Sequence, residues 1–298
     1  MVTFSWLVPT RGRPQLLNRF LDSLFATAAN PTQVEVILRI DDDDVSMSGY
    51  TPPQAFVRLL KGPRASMGTL NTECLRAATG DIILLGNDDL ILRSAHWDRW
   101  ISQASELYED GIYLIHVKDG FVNHRHICFP ILSKRFCSLI QDPFPAVYQG
   151  DHIDTHLEDL FRRLSDLGHH RLIYLDNVLF EHMTPAIGKG AMDEIYSKRN
   201  HFRDYLPFLL LWKARAQLAH ELLQTIESGH LPSSPPLILD KGHLRALQAL
   251  FQSIYSDRLQ TSSYRLAFLR EHLYRYAKLA IKTAFPFLIH LKRLIKKV

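Results

Sequence analysis

A chain of 298 residues, 46% hydrophobic and 22% charged, has the composition of a globular protein with a substantial core, which excludes a disordered, collagenous or disulfide-stapled chain. Its three cysteines, Cys74, Cys128 and Cys137, make no CxxC pair, so reduced thiols and no zinc site are expected. Net charge is +4, which conceals an uneven distribution along the chain.

The N-terminal Val2–Val8 lacks the basic flank of a signal peptide, and no apolar stretch approaches the roughly 18–20 residues that span a bilayer. Phe4–Val8 reads as a strand, ended by Pro9-Thr10-Arg11-Gly12-Arg13-Pro14. A helix follows, with Leu16, Leu17, Phe20, Leu21, Leu24 and Phe25 at helical spacing. After Asn30-Pro31, the run Val34–Ile40 predicts a second strand that delivers Asp41-Asp42-Asp43-Asp44. A helix over about Gly68 to Ala78 leads to a third strand, Ile82-Ile83-Leu84-Leu85-Gly86, closed by Asn87-Asp88-Asp89. This βαβαβ rhythm predicts a parallel, helix-covered sheet, and ligands of such sheets gather beyond the carboxyl ends of the strands. Tyr113–Val117, Cys128–Leu132 and Leu172–Leu175 are expected as further strands. From about Asn200 the pattern is helical, interrupted by the Ser228–Pro236 linker.

Asn87-Asp88-Asp89 carries the most chemistry. Hydrophobic burial draws the preceding strand into the core, and the chain then surfaces with two carboxylates and an amide side by side. Crowded carboxylates lose hydration and repel one another, so a divalent cation is the expected partner. Hard oxygen ligands suit Mg2+ or Mn2+, shared with a diphosphate. The bland alternative is a solvated Asn-Asp turn. Thr10, Arg11 and Arg13 are candidates for nucleotide contact or for bracing a turn, and Arg64 and Lys61 for phosphate contact or plain surface charge.

The order and spacing of these segments over residues 3–190 resemble the GT-A-fold nucleotide-sugar glycosyltransferases, in particular the family-2-like inverting group. The carriers are Val8–Pro14, Asp41, Gly68-Thr69-Leu70-Asn71, Ala78–Ile83 before Asn87-Asp88-Asp89, Gly150-Asp151-His152-Ile153-Asp154, and Glu181-His182-Met183-Thr184-Pro185. The resemblance implies a GT-A, Rossmann-like mixed sheet with helices on both faces over residues 1–200, and a helical C-terminal region over 201–298. It implies transfer of a sugar from a nucleoside-diphosphate sugar to a hydroxyl acceptor, with inversion through one displacement and Mn2+ or Mg2+ as cofactor. Asp89 then stands where the cation is held, with Asn87 as an outer contact and His182 as a further ligand. Donor contacts fall to Pro9, Thr10, Arg11, Arg13, Asp41, Arg64, Gly68 and Asp88. The base that takes the acceptor's proton is Asp151, or second Asp154. This chain departs from the family pattern at Asn87 and at both central positions of Gly150–Asp154. An Asp beginning a helix is also an ordinary N-cap.

The tail, residues 264–298, has nine Lys/Arg against one acid, Glu271, which leaves the rest of the chain net acidic. Its apolar residues recur every three or four positions. Two readings stand: a basic amphipathic helix on an anionic membrane surface, or a helix packed on the protein or on a second copy in a homodimer. A glycan or glycolipid acceptor in surface-polysaccharide or lipopolysaccharide assembly suits the first, with the enzyme cytoplasmic and peripheral on the inner face. No nucleic-acid motif accompanies the charge. The rival functions are a non-catalytic nucleotide-sugar-binding or scaffold protein, and a nucleotidyltransferase, which should carry a glycine-rich loop where Pro9–Pro14 has one glycine.

Overall fold

A computed structural model describes residues 2–198 and 203–233 and, beyond these, only the isolated positions 270, 273, 274 and 277. Apart from those four positions, the basic tail therefore lies outside the described residues. The chain divides into two compact units, one of residues 1–199 with 214–238 and one of residues 200–213 with 239–298. The second is described only in part, by the short helix Tyr205–Leu210. No helix among the described residues is long and apolar enough to cross a membrane.

The first unit is built on an eight-stranded sheet in the order β3-β2-β1-β4-β7-β6-β8-β5. Four strands form its parallel half: β1 (Phe4–Thr10), β2 (Val34–Asp41), β3 (Val57–Gly62) and β4 (Ile82–Leu85). Thr10 pairs with Ile40 and Leu7 with Leu85, so β1, β2 and β4 all end on one edge. Every residue of β1 is buried. Alternate side chains serve opposite faces. Phe4, Trp6 and Val8 join Leu17, Phe20, Leu21 and Leu24 of the helix α1 (Pro14–Thr27) in one core. Trp6 sits among Phe20, Trp97 and Phe180 with ring centroids 5.3–5.6 Å apart, the spacing of edge-to-face packing. On the other face Cys74 of α2 (Met67–Ala77) reaches the Ile37 carbonyl.

The remaining strands are β5 (Leu90–Leu92), β6 (Leu114–Lys118), β7 (Ile131–Ser133) and β8 (Leu172–His182). β7 is antiparallel to β4 and β6, and β5 is antiparallel to β8, so the sheet is mixed rather than parallel throughout. β7 begins later than the sequence predicts because Pro130 lacks an N–H for the ladder; its carbonyl accepts from Leu85 instead. β8 runs longer than expected. Its register on β6 jumps between Val117 and Lys118, from Leu175 to Leu179, and this bulge re-aims the strand so that His182 lies opposite Leu90. The strands β3 and β5 and the helices α3 (Trp97–Ser105) and α4 (Lys134–Leu139) were not legible in the sequence. Downstream come α5 (Ile153–Asp166), α6 (Glu194–Lys198), α7 (Tyr205–Leu210) and α8 (Trp212–Ser228).

Candidate active site at the strand edge

The carboxyl ends of β1, β2 and β4 bring the predicted acids and bases together. Asp88 and Asp89 are buried, at 5% and 2% exposure, while Asn87 points to solvent. Thr10 at the end of β1 donates its hydroxyl to Asp88 Oδ2 at 2.6 Å, and Arg13 donates to Asp88 Oδ1 at 3.2 Å. Arg11 donates to Asp41 at 2.8 Å and to Asp43. Gly12 turns the chain between them with φ +73°, a conformation that favours glycine, and its N–H donates to Asp44 at 2.7 Å. Pro9 is buried within β1. Asp41 to Asp44 and Lys61 line a cavity of about 200 Å³. Arg64 is exposed and acts on Asp43 through its charge.

The four acids after β2 do different work. Asp41 is buried and faces Arg11, Asp43 is exposed, and Asp44 accepts from Gly12 and Ser46 as the cap of a short turn. Arg39, 1% exposed, underlies the edge: it donates to Glu73 at 2.5 Å and to the carbonyls of Ile40, Gly62 and Pro63. A guanidinium offers five donors, so one side chain fastens the ends of β2 and β3 to α2. Gly68, expected at the donor, lies in α2 against another loop; a Cβ there would stand 2.1 Å from the Pro145 carbonyl oxygen, which accounts for the glycine.

Burial pushes Asp88 up to about 6, against the opposing pull of Arg13 and Thr10, and the neighbouring charge of Asp89 adds to the rise. Burial acts on Asp89 in the same sense, but His182 outweighs it and holds this carboxyl below its usual range. His182 Nε2 lies 3.4 Å from Asp89 Oδ2. The backbone enforces this approach, because Met183 N–H donates to the Asp89 carbonyl at 2.9 Å.

Two residues that sequence reasoning missed close on the same acids. Asp193 accepts two hydrogen bonds from the Arg13 guanidinium, at 2.7 and 3.0 Å, and Tyr196 of α6 donates its hydroxyl to Asp89 Oδ2. The Arg13 guanidinium lies 4.6 Å from the centre of the Tyr196 ring. Nothing in the stretch Ala191–Tyr196 marks it beforehand except its position after the Gly188-Lys189-Gly190 turn. That turn is itself docked: Lys189 pairs with Glu181 at 2.6 Å, and Gly190 N–H donates to Thr184.

Asp89 Oδ1 and the His182 ring nitrogens are buried without a hydrogen-bond partner. A desolvated carboxylate oxygen beside an unsatisfied imidazole is costly unless something else binds there. An oxygen and a nitrogen ligand suit Mn2+ or Mg2+ as the expected cation, and so the residues present fit it. Asn87, expected as an outer contact, is exposed beside this pair.

The Gly150–Asp154 segment leads into α5. The N-cap is His152, in the left-handed region at φ 72°, so Asp151 is not the cap. Asp151 is half-buried just outside the helix. Asp154 is engaged within it, accepting from Thr155 N–H at 2.7 Å and lying 3.7 Å from His126 Nε2. His126 Nδ1 sits 2.5 Å from Glu158. Burial favours neutral His126, but the carboxylates of Asp154 and Glu158 prevail and raise it to about 10. The imidazolium in turn holds Asp154 and Glu158 low against the effect of burial. Asp159 pairs with the buried Arg215 of α8 at 2.5 Å and with Arg163 at 2.8 Å. Those two cations overcome burial and bring Asp159 down to about 2.

No protein-family model and no curated protein matches the sequence. Solved structures do match. The mannosyltransferase PcManGT from Pyrobaculum calidifontis, in complex with GDP-Man and Mn2+, superposes with a TM-score of 0.52 at 15% identity, over 96% of this chain and 88% of that one. S. aureus TarS 1–349 in complex with UDP-GlcNAc superposes with a TM-score of 0.54 at 16% identity, over 95% of this chain and 91% of that one. At such identities the likeness is one of fold. The chain has the GT-A-type, Rossmann-like α/β fold of nucleotide-sugar glycosyltransferases.

Proposed function

We propose that the chain is a metal-dependent glycosyltransferase of the family-2-like group, moving a sugar from a nucleoside-diphosphate sugar to a hydroxyl acceptor with inversion. The observation that carries this reading is the juxtaposition at one strand edge of buried Asp88 and Asp89 with Thr10, Arg13 and His182. The neighbours bound to GDP-Man and UDP-GlcNAc support the donor class, and the Mn2+ in the former supports the cofactor.

In this reading Asp89 and His182 hold Mn2+ or Mg2+, which when bound neutralises the leaving diphosphate. Arg11 and Asp41 line the nucleotide side. Asp88, tied to Thr10 and Arg13, presents a fixed carboxyl toward the ribose, and buried Arg39 keeps that edge in register. Asp151 takes the acceptor proton. Asp154 is the poorer base, because the His126 imidazolium stabilises its ionised form and weakens its pull on a proton. Arg13 is held by Asp193 and Asp88, so it reaches a phosphate only if α6 yields.

For the C-terminal region we propose the role given by its charge. Residues 201–298 follow the catalytic domain, and the basic segment 264–298 holds the protein to an anionic membrane face, near a glycan or glycolipid acceptor. Full-length protein should co-sediment with anionic liposomes, and a truncation ending near Thr261 should not; equal binding removes the claim. The function itself is tested by incubating the protein with a panel of sugar nucleotides, with and without Mn2+. Free nucleoside diphosphate released only with the metal is the expected result. Pyrophosphate instead would make the chain a nucleotidyltransferase, and the absence of either product a binding protein.

A further inference from the structure

Beside the strand edge lies a second cluster, of which the glycosyl-transfer reading uses only His182. Asp119 follows β6, Cys128 precedes β7 and His182 ends β8, and one ligand atom from each lies within 4.8 Å of the others. The sequence gives no warning of it, since these residues are far apart in the chain and make no CxxC or HxxxH spacing. The bulge in β8 and the adjoining loops bring them together. His182 N–H donates to the Asp119 carbonyl at 2.9 Å, which fixes the two backbones side by side.

Asp119 is the informative member. It is 2% exposed. Its Oδ1 accepts three backbone N–H groups, from Phe121 at 2.9 Å, Val122 at 3.0 Å and Asn123 at 2.7 Å, so the carboxylate is rigidly held. Its Oδ2 is buried and receives no hydrogen bond from a nitrogen or oxygen donor, with the Cys128 thiol as the interacting neighbour of this carboxylate. A carboxylate ordered on one oxygen and left unsatisfied on the other is poorly explained by a structural role, which one oxygen already fulfils. A bound cation would satisfy the second.

We propose that Asp119, Cys128 and His182 form a binding site for a thiophilic divalent ion such as Zn2+, separate from the Asp89 position. A carboxylate oxygen, a sulfur and an imidazole nitrogen are the ligand types of tetrahedral Zn2+ sites, with the fourth position open to solvent or ligand. Sulfur selects against Mg2+ and disfavours Mn2+ relative to Zn2+ or Co2+. Tetrahedral bonding at the usual lengths sets ligand atoms roughly 3.3–3.8 Å apart, so the observed cluster closes by side-chain shifts of about an ångström. Cys128 binds as thiolate and its proton passes to solvent. His182 is common to both positions. Occupancy here therefore takes it from Asp89, a consequence that rests on the proposed function, whereas the site itself does not.

The test uses Co2+ as a spectroscopic stand-in, added to the metal-free full-length protein. A thiolate-to-cobalt charge-transfer band with the intense visible absorption of a tetrahedral site should saturate at one equivalent and be displaced by Zn2+. Cys128→Ser, nearly isosteric, should abolish the charge-transfer band, and Asp119→Asn should weaken binding by at least about tenfold. Asp89→Asn should retain the band. Circular dichroism confirms that each variant is folded, and a variant that is not is replaced by Cys128→Ala. No band in the folded parent overturns the proposal. So does a band that survives in the folded Cys128 variant, which would belong to Cys74 or Cys137, or one lost as fully in Asp89→Asn as in Cys128→Ser.

Discussion

The two halves of the sheet treat their carboxylates in opposite ways. Under α5 in the mixed half, Asp159 is clasped by Arg163 and Arg215, and Glu158 by His126 and Arg162. At the edge of the parallel half, Asp89 is more deeply buried than Asp159 yet keeps one oxygen without a partner, and Asp88 is held near its titration range at about 6. Saturated charge belongs to a framework, because each ion pair already meets the desolvation cost of its members. Unsaturated buried charge is tolerated where a ligand completes it. The contrast separates residues that hold the protein together from residues proposed to act.

The largest effects should come from the acting side. Asp151→Asn is expected to lower kcat by about 10²–10⁴-fold with the donor KM little changed, the range for loss of a general base. Asp89→Asn should cost about 10²–10³-fold in metal-dependent turnover, comparable to removing a preorganised electrostatic contact, with the melting temperature kept. Steady-state kinetics on matched donor and metal series checks both, and wild-type rates in Asp89→Asn would dissolve the contrast.

On the framework side, Asp159→Ala removes a carboxylate from buried Arg215. A loss of about 2 kcal/mol is expected, below the range for a fully buried pair because Asp159 keeps some water. Urea unfolding measures it, and donor affinity should be unchanged.

The framework should also titrate where the edge does not. Asp159, lowered to about 2 in the fold, contributes stability that is complete above its ordinary value near 4 and is lost as pH falls toward 2. His126 is raised to about 10, so its contribution is complete below about 6.5 and fades as pH rises through 10. His126→Gln should flatten the alkaline limb of the melting temperature against pH, and an unaltered limb would remove His126 from the clasp. The smallest effect is expected from Tyr196→Phe. Freeing Asp89 Oδ2 of its hydroxyl should tighten Mn2+ binding a few-fold, on the order of one hydrogen bond, as titration calorimetry would read.

The parallel half was legible because its determinants are local. Phe4–Thr10, Val34–Asp41 and Ile82–Leu85 are apolar runs closed by turn residues, and parallel pairing then fixes which ends share an edge. The mixed half was legible only in fragments. β5 has three residues, and β3 has its side chains at most half-buried, so neither shows a run or an alternation. Asp119 and Cys128 gain His182 through the bulge in β8 and the β6–β7 connection, and His126 gains Asp154 and Glu158 from α5, neither of which a short-range pattern encodes. Asp193 and Tyr196 meet Arg13 and Asp89 across 180 and 107 positions of sequence. The split of Asp151 from Asp154 also needed coordinates, since both are plausible bases until His126 is seen beside one of them.

In the proposed function, Asp89 and His182 hold one cation at the strand edge. Anomalous scattering from crystals grown with Mn2+ and a nucleoside diphosphate tests this directly. The predicted result is a manganese peak within coordination distance of the Asp89 carboxylate and the His182 ring, bridging to the diphosphate. A diphosphate bound elsewhere, or manganese that touches neither residue, would contradict it.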